Sequence, residues 1–155
     1  MIGGSSGSAG VDLFRRLTDE HAVAAELMQQ VAGSMELPTR EDLYPQIRRQ
    51  LLVHARAEEQ AFYPRLAAHP ELRALVERSL EEHAEVERFL KRLDVKDRST
   101  KQWRDLFGEM VQAVQAHVAR EEQELFPLAR RLLDPLELRR IHEDYDRAED
   151  RDGFR

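Results

Sequence analysis

Residues 54–64 and 117–127 of this chain are near copies of one another, HARAEEQAFYP and HVAREEQELFP. His, two Glu, Gln and Pro recur at the same places, 63 residues on from His54 to His117, and Tyr63 is matched by Phe126. A second pair, His21 and His83, stands upstream at an offset of 62, each preceded by a glutamate. Histidine and glutamate four apart lie on one face of a helix. Each copy therefore sets an imidazole beside a carboxylate, and the fold must either leave both copies in water or give them a common partner.

Hydrophobic periodicity decides which. Apolar residues at spacings of three and four predict a helix over residues 11–32, with an inward stripe of Phe14, Leu17, His21, Ala24, Met28 and Val31, stopped by Gly33. A second helix from about Thr39 carries Leu43, Ile47, Leu51, His54, Glu58 and Ala61. A third, opening near Pro70, carries Leu72, Val76, Ser79, His83, Val86, Leu90 and Leu93. Ser99 with Gln102 three residues on reads as a capping box. The fourth helix behind it carries Trp103, Phe107, Met110, Val114, His117, Glu121, Leu125 and Leu128. Asp134-Pro135 opens a short fifth helix to about Ala148, followed by a frayed tail. The expected fold is all-α, an up-down-up-down four-helix bundle with a short C-terminal helix. Its divisions are a flexible Gly/Ser-rich tail over residues 1–10, the bundle over 11–133, and the last helix and tail over 134–155.

Each of the four long stripes thus contains a histidine, and two contain a glutamate one turn later. Rise along the helices permits all four histidines to meet near mid-bundle. Polar groups inside an apolar seam are costly unless paired, and a metal would pair them. Candidate ligands are His21, His54, Glu58, His83, His117 and Glu121. The bland alternative is a duplicated helical hairpin whose buried polar residues only specify pairing. A lone HxxxE carries little weight here, because His83 with Glu87 and His142 with Asp146 show the same spacing in an acidic chain. Glu87 flanks the seam and reads as a surface residue or a supporting partner more than a ligand. Glu59 and Glu122 lie about 100° round the helix from the candidate carboxylates; with Glu20 and Glu82 they read as supporting or exposed. His69 reads as a loop or cap residue, and His142 has no repeat partner. Pro64 and Pro127 are expected to bend or end their helices.

Composition removes other function classes. Without cysteine there are no disulfides, thiolate metal sites, iron–sulfur clusters or cysteine nucleophiles. A net charge of −6 with no basic block argues against nucleic acid. No apolar run suits a membrane span and no secretory signal is visible, so a cytoplasmic protein is expected. Imidazoles suit iron, copper, nickel and zinc, shared carboxylates suit a pair of hard ions, and the lack of thiolates makes a closed structural zinc site less natural. Two histidines and two shared carboxylates give each ion about four ligand atoms, leaving room for an oxo or hydroxo bridge and an open position.

The order His … HxxxE … His … HxxxE across four helices resembles the hemerythrin-like, or HHE cation-binding, family, over roughly residues 11–133. That resemblance implies a centre of two Fe ions, His21 and His54 on one, His83 and His117 on the other, with Glu58 and Glu121 bridging. Oxygen-carrying hemerythrins add a fifth histidine one turn after the third-helix histidine, where this chain has Glu87. The departure shifts the expectation from oxygen storage toward catalase-like turnover of hydrogen peroxide. The alternative is a non-enzymatic sensor or carrier of dioxygen, nitric oxide or iron. The family's iron–sulfur repair members typically carry an N-terminal cysteine segment, which this chain lacks. The oligomeric state is not legible.

Overall fold

A computed structural model describes residues 4–34 and 36–151, with side chains from residue 13 onward; among these every regular element is helical. Helix α1 (Gly4–Ala32) is followed by α2 (Leu37–Ala57), which passes through a π-helical turn (Glu58–Phe62) into α3 (Tyr63–Ala67). A 3₁₀ turn (Pro70–Leu72) leads to α4 (Arg73–Val95). Then come α5 (Lys101–Arg120), a second π-helical turn (Glu121–Leu125), α6 (Phe126–Leu132) and α7 (Pro135–Arg151). Because α2 with α3 and α5 with α6 are each continuous through a wide turn, four bundle rods result, with α7 as a fifth helix packed on them. Short connections after α1 and α4 make neighbouring rods antiparallel. No helix among the described residues is long and apolar enough to cross a membrane.

The stripes bury as two separate apolar clusters. One gathers Leu13, Phe14, Leu17, Phe62, Leu66, Phe126 and Ile141. The other gathers Met28, Val31, Ile47, Leu90, Trp103, Phe107 and Met110. In the first, Phe14, Phe62 and Phe126 meet with ring centroids 5.3–6.2 Å apart. In the second, Trp103 stacks on Phe107 at 5.1 Å and its Nε1 donates to the Leu93 carbonyl at 3.2 Å. The four histidines fall between the clusters: His21 follows Leu17 and precedes Ala24, and His83 lies between Val76 and Leu90. A polar layer therefore divides the core at mid-height.

Several boundaries differ from the sequence reading. Helix α1 begins at Gly4, so helical backbone covers residues 4–10, where a flexible tail is expected; a helix already anchored by Leu13 and Phe14 extends without repeating the cost of nucleation. Residues 1–3, 35 and 152–155 lie outside the described residues. Helix α2 starts two residues before Thr39, at Leu37, with Pro38 in its first turn. The cap of α5 is Thr100, whose Oγ1 accepts from Trp103 N at 3.1 Å. Ser99 is diverted, its Oγ donating to Asp97 at 2.7 Å. Asp134 accepts from Glu137 N at 2.8 Å, in the expected place at the head of α7. That helix runs on to Arg151 and is no appendage: Leu138, Ile141, Tyr145 and Ala148 are all buried. Arg16 of α1 pairs with Asp146 and Glu149 and so holds the last turns.

The prolines neither end nor sharply break the rods. Tyr63 N bonds back five residues to Glu58 O, and Phe126 N likewise to Glu121 O. The next residue in each case is proline, which has no N–H and would crowd the carbonyl four residues back in a regular helix. Widening the turn relieves that clash, and each wide turn begins on a candidate ligand.

Candidate metal centre

Glu58 and Glu121 open the two π turns at mid-bundle and are 0% and 1% exposed. His21, His83 and His117 are buried and His54 nearly so. Two groups of four possible ligands form, His21, His54, Glu58 and Glu121 in one, Glu58, His83, His117 and Glu121 in the other. Within each, the ligand atoms all lie within 4.8 Å of one another. All six residues singled out in the sequence thus meet, and both groups share both carboxylates.

The contacts cross between the repeats. Glu58 Oε1 lies 3.3 Å from His54 Nε2 and 3.2 Å from His83 Nε2. Glu121 Oε1 lies 3.5 Å from His117 Nε2 and 3.1 Å from His21 Nε2. The imidazoles pair at nearly equal separations, with ring centroids 4.8 Å apart for His21 and His54 and 4.7 Å for His83 and His117.

The outward nitrogens are held by the glutamates read as supporting. His54 Nδ1 meets Glu20 at 2.7 Å and His117 Nδ1 meets Glu82 at 2.8 Å. His83 Nδ1 meets Glu59 and His21 Nδ1 meets Glu122, both at 2.7 Å. A carboxylate at Nδ1 keeps the proton on that nitrogen and aims the Nε2 lone pair inward. His21 Nε2, His54 Nε2, Glu58 Oε2 and Glu121 Oε1 are buried without a hydrogen-bond partner. Buried polar atoms are nearly always satisfied, so four inward atoms left over around one point fit a cation.

Electrostatics agree. Burial would raise both carboxyls, yet the imidazoles around them outweigh it, holding Glu121 well below the usual range and lowering Glu58. Burial would lower His83, but hydrogen bonds to Glu58 and Glu59 and the charge of Glu121 raise it to about 9. Without metal, folded His83 keeps its proton to higher pH than an unfolded histidine does. An unfolded histidine titrates near 6.5, so this contribution to stability is complete below that pH and lost as pH climbs through about 9. Urea unfolding of metal-free protein is expected to show stability declining across that window, and Glu58→Gln to shallow the decline. A flat profile would contradict it. Metal and proton compete for Nε2, so metal affinity rises over the same range.

Two functional residues escape the sequence reading. Tyr63 Oη donates to Glu58 Oε1 at 3.1 Å and to Glu121, and lies 3.1 Å from His83 Nε2. Residues five apart stand about 140° round a regular helix; the π turn brings Glu58 and Tyr63 to one side. Its repeat partner Phe126 instead stacks on His21, rings 6.0 Å apart and 8° from parallel, so the two ligand groups are not equivalent. Tyr145, from α7, donates to Glu20 and lies 3.0 Å from His54 Nδ1. Glu82, the repeat counterpart of Glu20, is instead paired with Arg120.

Glu87 is exposed and belongs to neither ligand group. It lines a cavity of about 100 Å³ that reaches all four histidines. His69 heads the 3₁₀ turn and meets Glu137 at 3.2 Å; His142 lines a surface groove with Arg15 and Arg16. Neither belongs to a ligand group.

The family model for the hemerythrin HHE cation binding domain matches residues 12–129, most of the chain. No curated protein and no solved structure gives a significant match.

Proposed function

The chain belongs to the hemerythrin HHE cation-binding family, and from that premise we propose that it is a non-haem di-iron protein acting on dioxygen- or peroxide-type small oxidants. His21 and His54 would hold one iron and His83 and His117 the other, with Glu58 and Glu121 bridging. The observation that carries this reading is the sharing of both carboxylates between two four-residue groups. An oxo or hydroxo bridge would complete the ligand count.

When bound, the iron pair supplies reversible redox change and a Lewis-acidic face. The chain's residues supply the rest. Glu20, Glu59, Glu82 and Glu122 fix the imidazoles, so the ligand set needs little reorganisation. Apolar clusters above and below exclude bulk water. Tyr63 holds a proton at Oη against both shared carboxylates, placed to lend it to, or recover it from, a group arriving between them. With Glu87 outside both groups, no fifth ligand comes from that position, which favours turnover over storage. The reaction is disproportionation of two hydrogen peroxide molecules to dioxygen and two waters.

Iron-loaded protein is expected to evolve dioxygen from hydrogen peroxide, and His117→Ala to reduce the rate at least about 100-fold, since even a supporting partner of a metal ligand contributes 10–100-fold. Equal activity in a metal-free sample would end the idea. Tyr63→Phe reproduces the shape of Phe126 and is expected to leave iron content unchanged while altering the visible absorption and the pH dependence of turnover. An unchanged spectrum and profile would reduce Tyr63 to packing.

A second reading, a sensor or carrier without turnover, is favoured by one observation: Tyr145 ties α7 to Glu20 and His54. It predicts altered amide-exchange protection in α7 on metal or nitric oxide binding, with negligible dioxygen evolution.

A further inference from the structure

The cavity beside the histidines is larger and more apolar than hydrogen peroxide requires. Resting on the di-iron reading of the site, we propose that it is a subsite for a compact, uncharged, branched alkyl group carried on the oxidant, extending the ligand class to small alkyl hydroperoxides. The cavity holds about 100 Å³, where a water needs roughly 10–15 Å³ of such space. A molecule with only two heavy atoms leaves most of it empty.

Its lining sets the aliphatic side chains of Ala24, Leu51, Val86, Leu90, Val114 and Val118 beside the four imidazoles, with Gln50 as a neutral polar member. Neither shared carboxylate nor Tyr63 lines it. An oxidant entering here presents its oxygen head to the histidine side of the centre while its tail stays among aliphatic side chains. Such walls favour an apolar tail and penalise a charged one, which would lose hydration without a partner. The charged members of the lining add to that bias against an anionic tail, three carboxylates (Glu20, Glu59 and Glu87) against one guanidinium, Arg56. The subsite makes and breaks no bond; it selects the tail.

Tert-butanol, the unreactive alcohol with the same tail, is the probe. In methyl-labelled protein, metal-free and again zinc-loaded, it is expected to shift the Leu51, Val86 and Val114 resonances saturably in the millimolar range. Leu13 and Leu66, in the other apolar cluster, should stay unmoved. The carboxylate analogue 3-hydroxy-3-methylbutanoate should bind at least about tenfold more weakly. Val86→Phe, which fills the half-buried wall, should abolish the shifts while zinc content stays at the wild-type value; Leu51→Phe serves if the first variant fails to fold. Absence of saturable shifts, equal binding of the charged analogue, or shifts surviving the filling variants would overturn the subsite. Shifts in metal-free protein together with failure to take up metal would support the subsite and count against the di-iron reading alone.

Discussion

Glu121→Gln is expected to deprive the chain of both metal ions, whereas His21→Ala should remove only one. Glu121 Oε1 lies 3.1 Å from His21 Nε2 and 3.5 Å from His117 Nε2, and the residue belongs to both ligand groups. Losing its charge weakens both positions together. His21 belongs to one group, so its removal leaves Glu58, His83, His117 and Glu121 complete. Losing even a supporting partner lowers metal affinity 10–100-fold, so a direct, shared ligand should cost at least about 100-fold at each position. Glutamine keeps the volume of glutamate, which keeps the fold available for the test. Metal analysis after anaerobic loading should find about two irons per wild-type chain, about one in His21→Ala, and well under one in Glu121→Gln. Two irons retained in Glu121→Gln would rule out a bridging role.

Metal loading is expected to raise the melting temperature by roughly 8–16 °C. Without an ion, the layer between the apolar clusters holds two buried carboxylates and unpartnered imidazole nitrogens, and this weakens the native state. A ligand specific to the folded form adds about 4 kcal/mol at a thousandfold excess over its dissociation constant. For a domain of this length each kcal/mol moves the midpoint by about 2–4 °C. Redox-inert zinc should reproduce most of the rise, and Glu121→Gln should lose it. Stoichiometric metal uptake without a shift would mean the ions bind elsewhere, on the surface.

Much of this centre is legible in the amino-acid order, for a physical reason. Inward stripes at helical period admit polar residues only where something repays their burial, so His21, His54, His83 and His117 announce themselves by standing among Leu, Val and Met. The repeat adds Glu58 and Glu121. The partners of the histidine Nδ1 atoms are visible only as glutamates off the seam, because a contact between different helices leaves no periodic trace in either. Tyr63 is hidden more deeply. A regular helix turns it away from Glu58, and only the widened turn before Pro64 brings it back. The prolines were the available signal, since proline after an i→i−5 bond marks a bulge as readily as an end. Tyr145 is hidden because nothing in α7 says on which rod it packs.

The polar layer has a consequence for cooperativity. Two apolar clusters separated by ionisable groups share little apolar contact through the middle of the molecule, so in the metal-free chain each end can open without dragging the other along. Metal held by side chains from all four bundle rods would weld the halves into one folding unit. Occupancy of the centre would then set how large a piece of the protein unfolds at once, a property apart from how tightly it is folded.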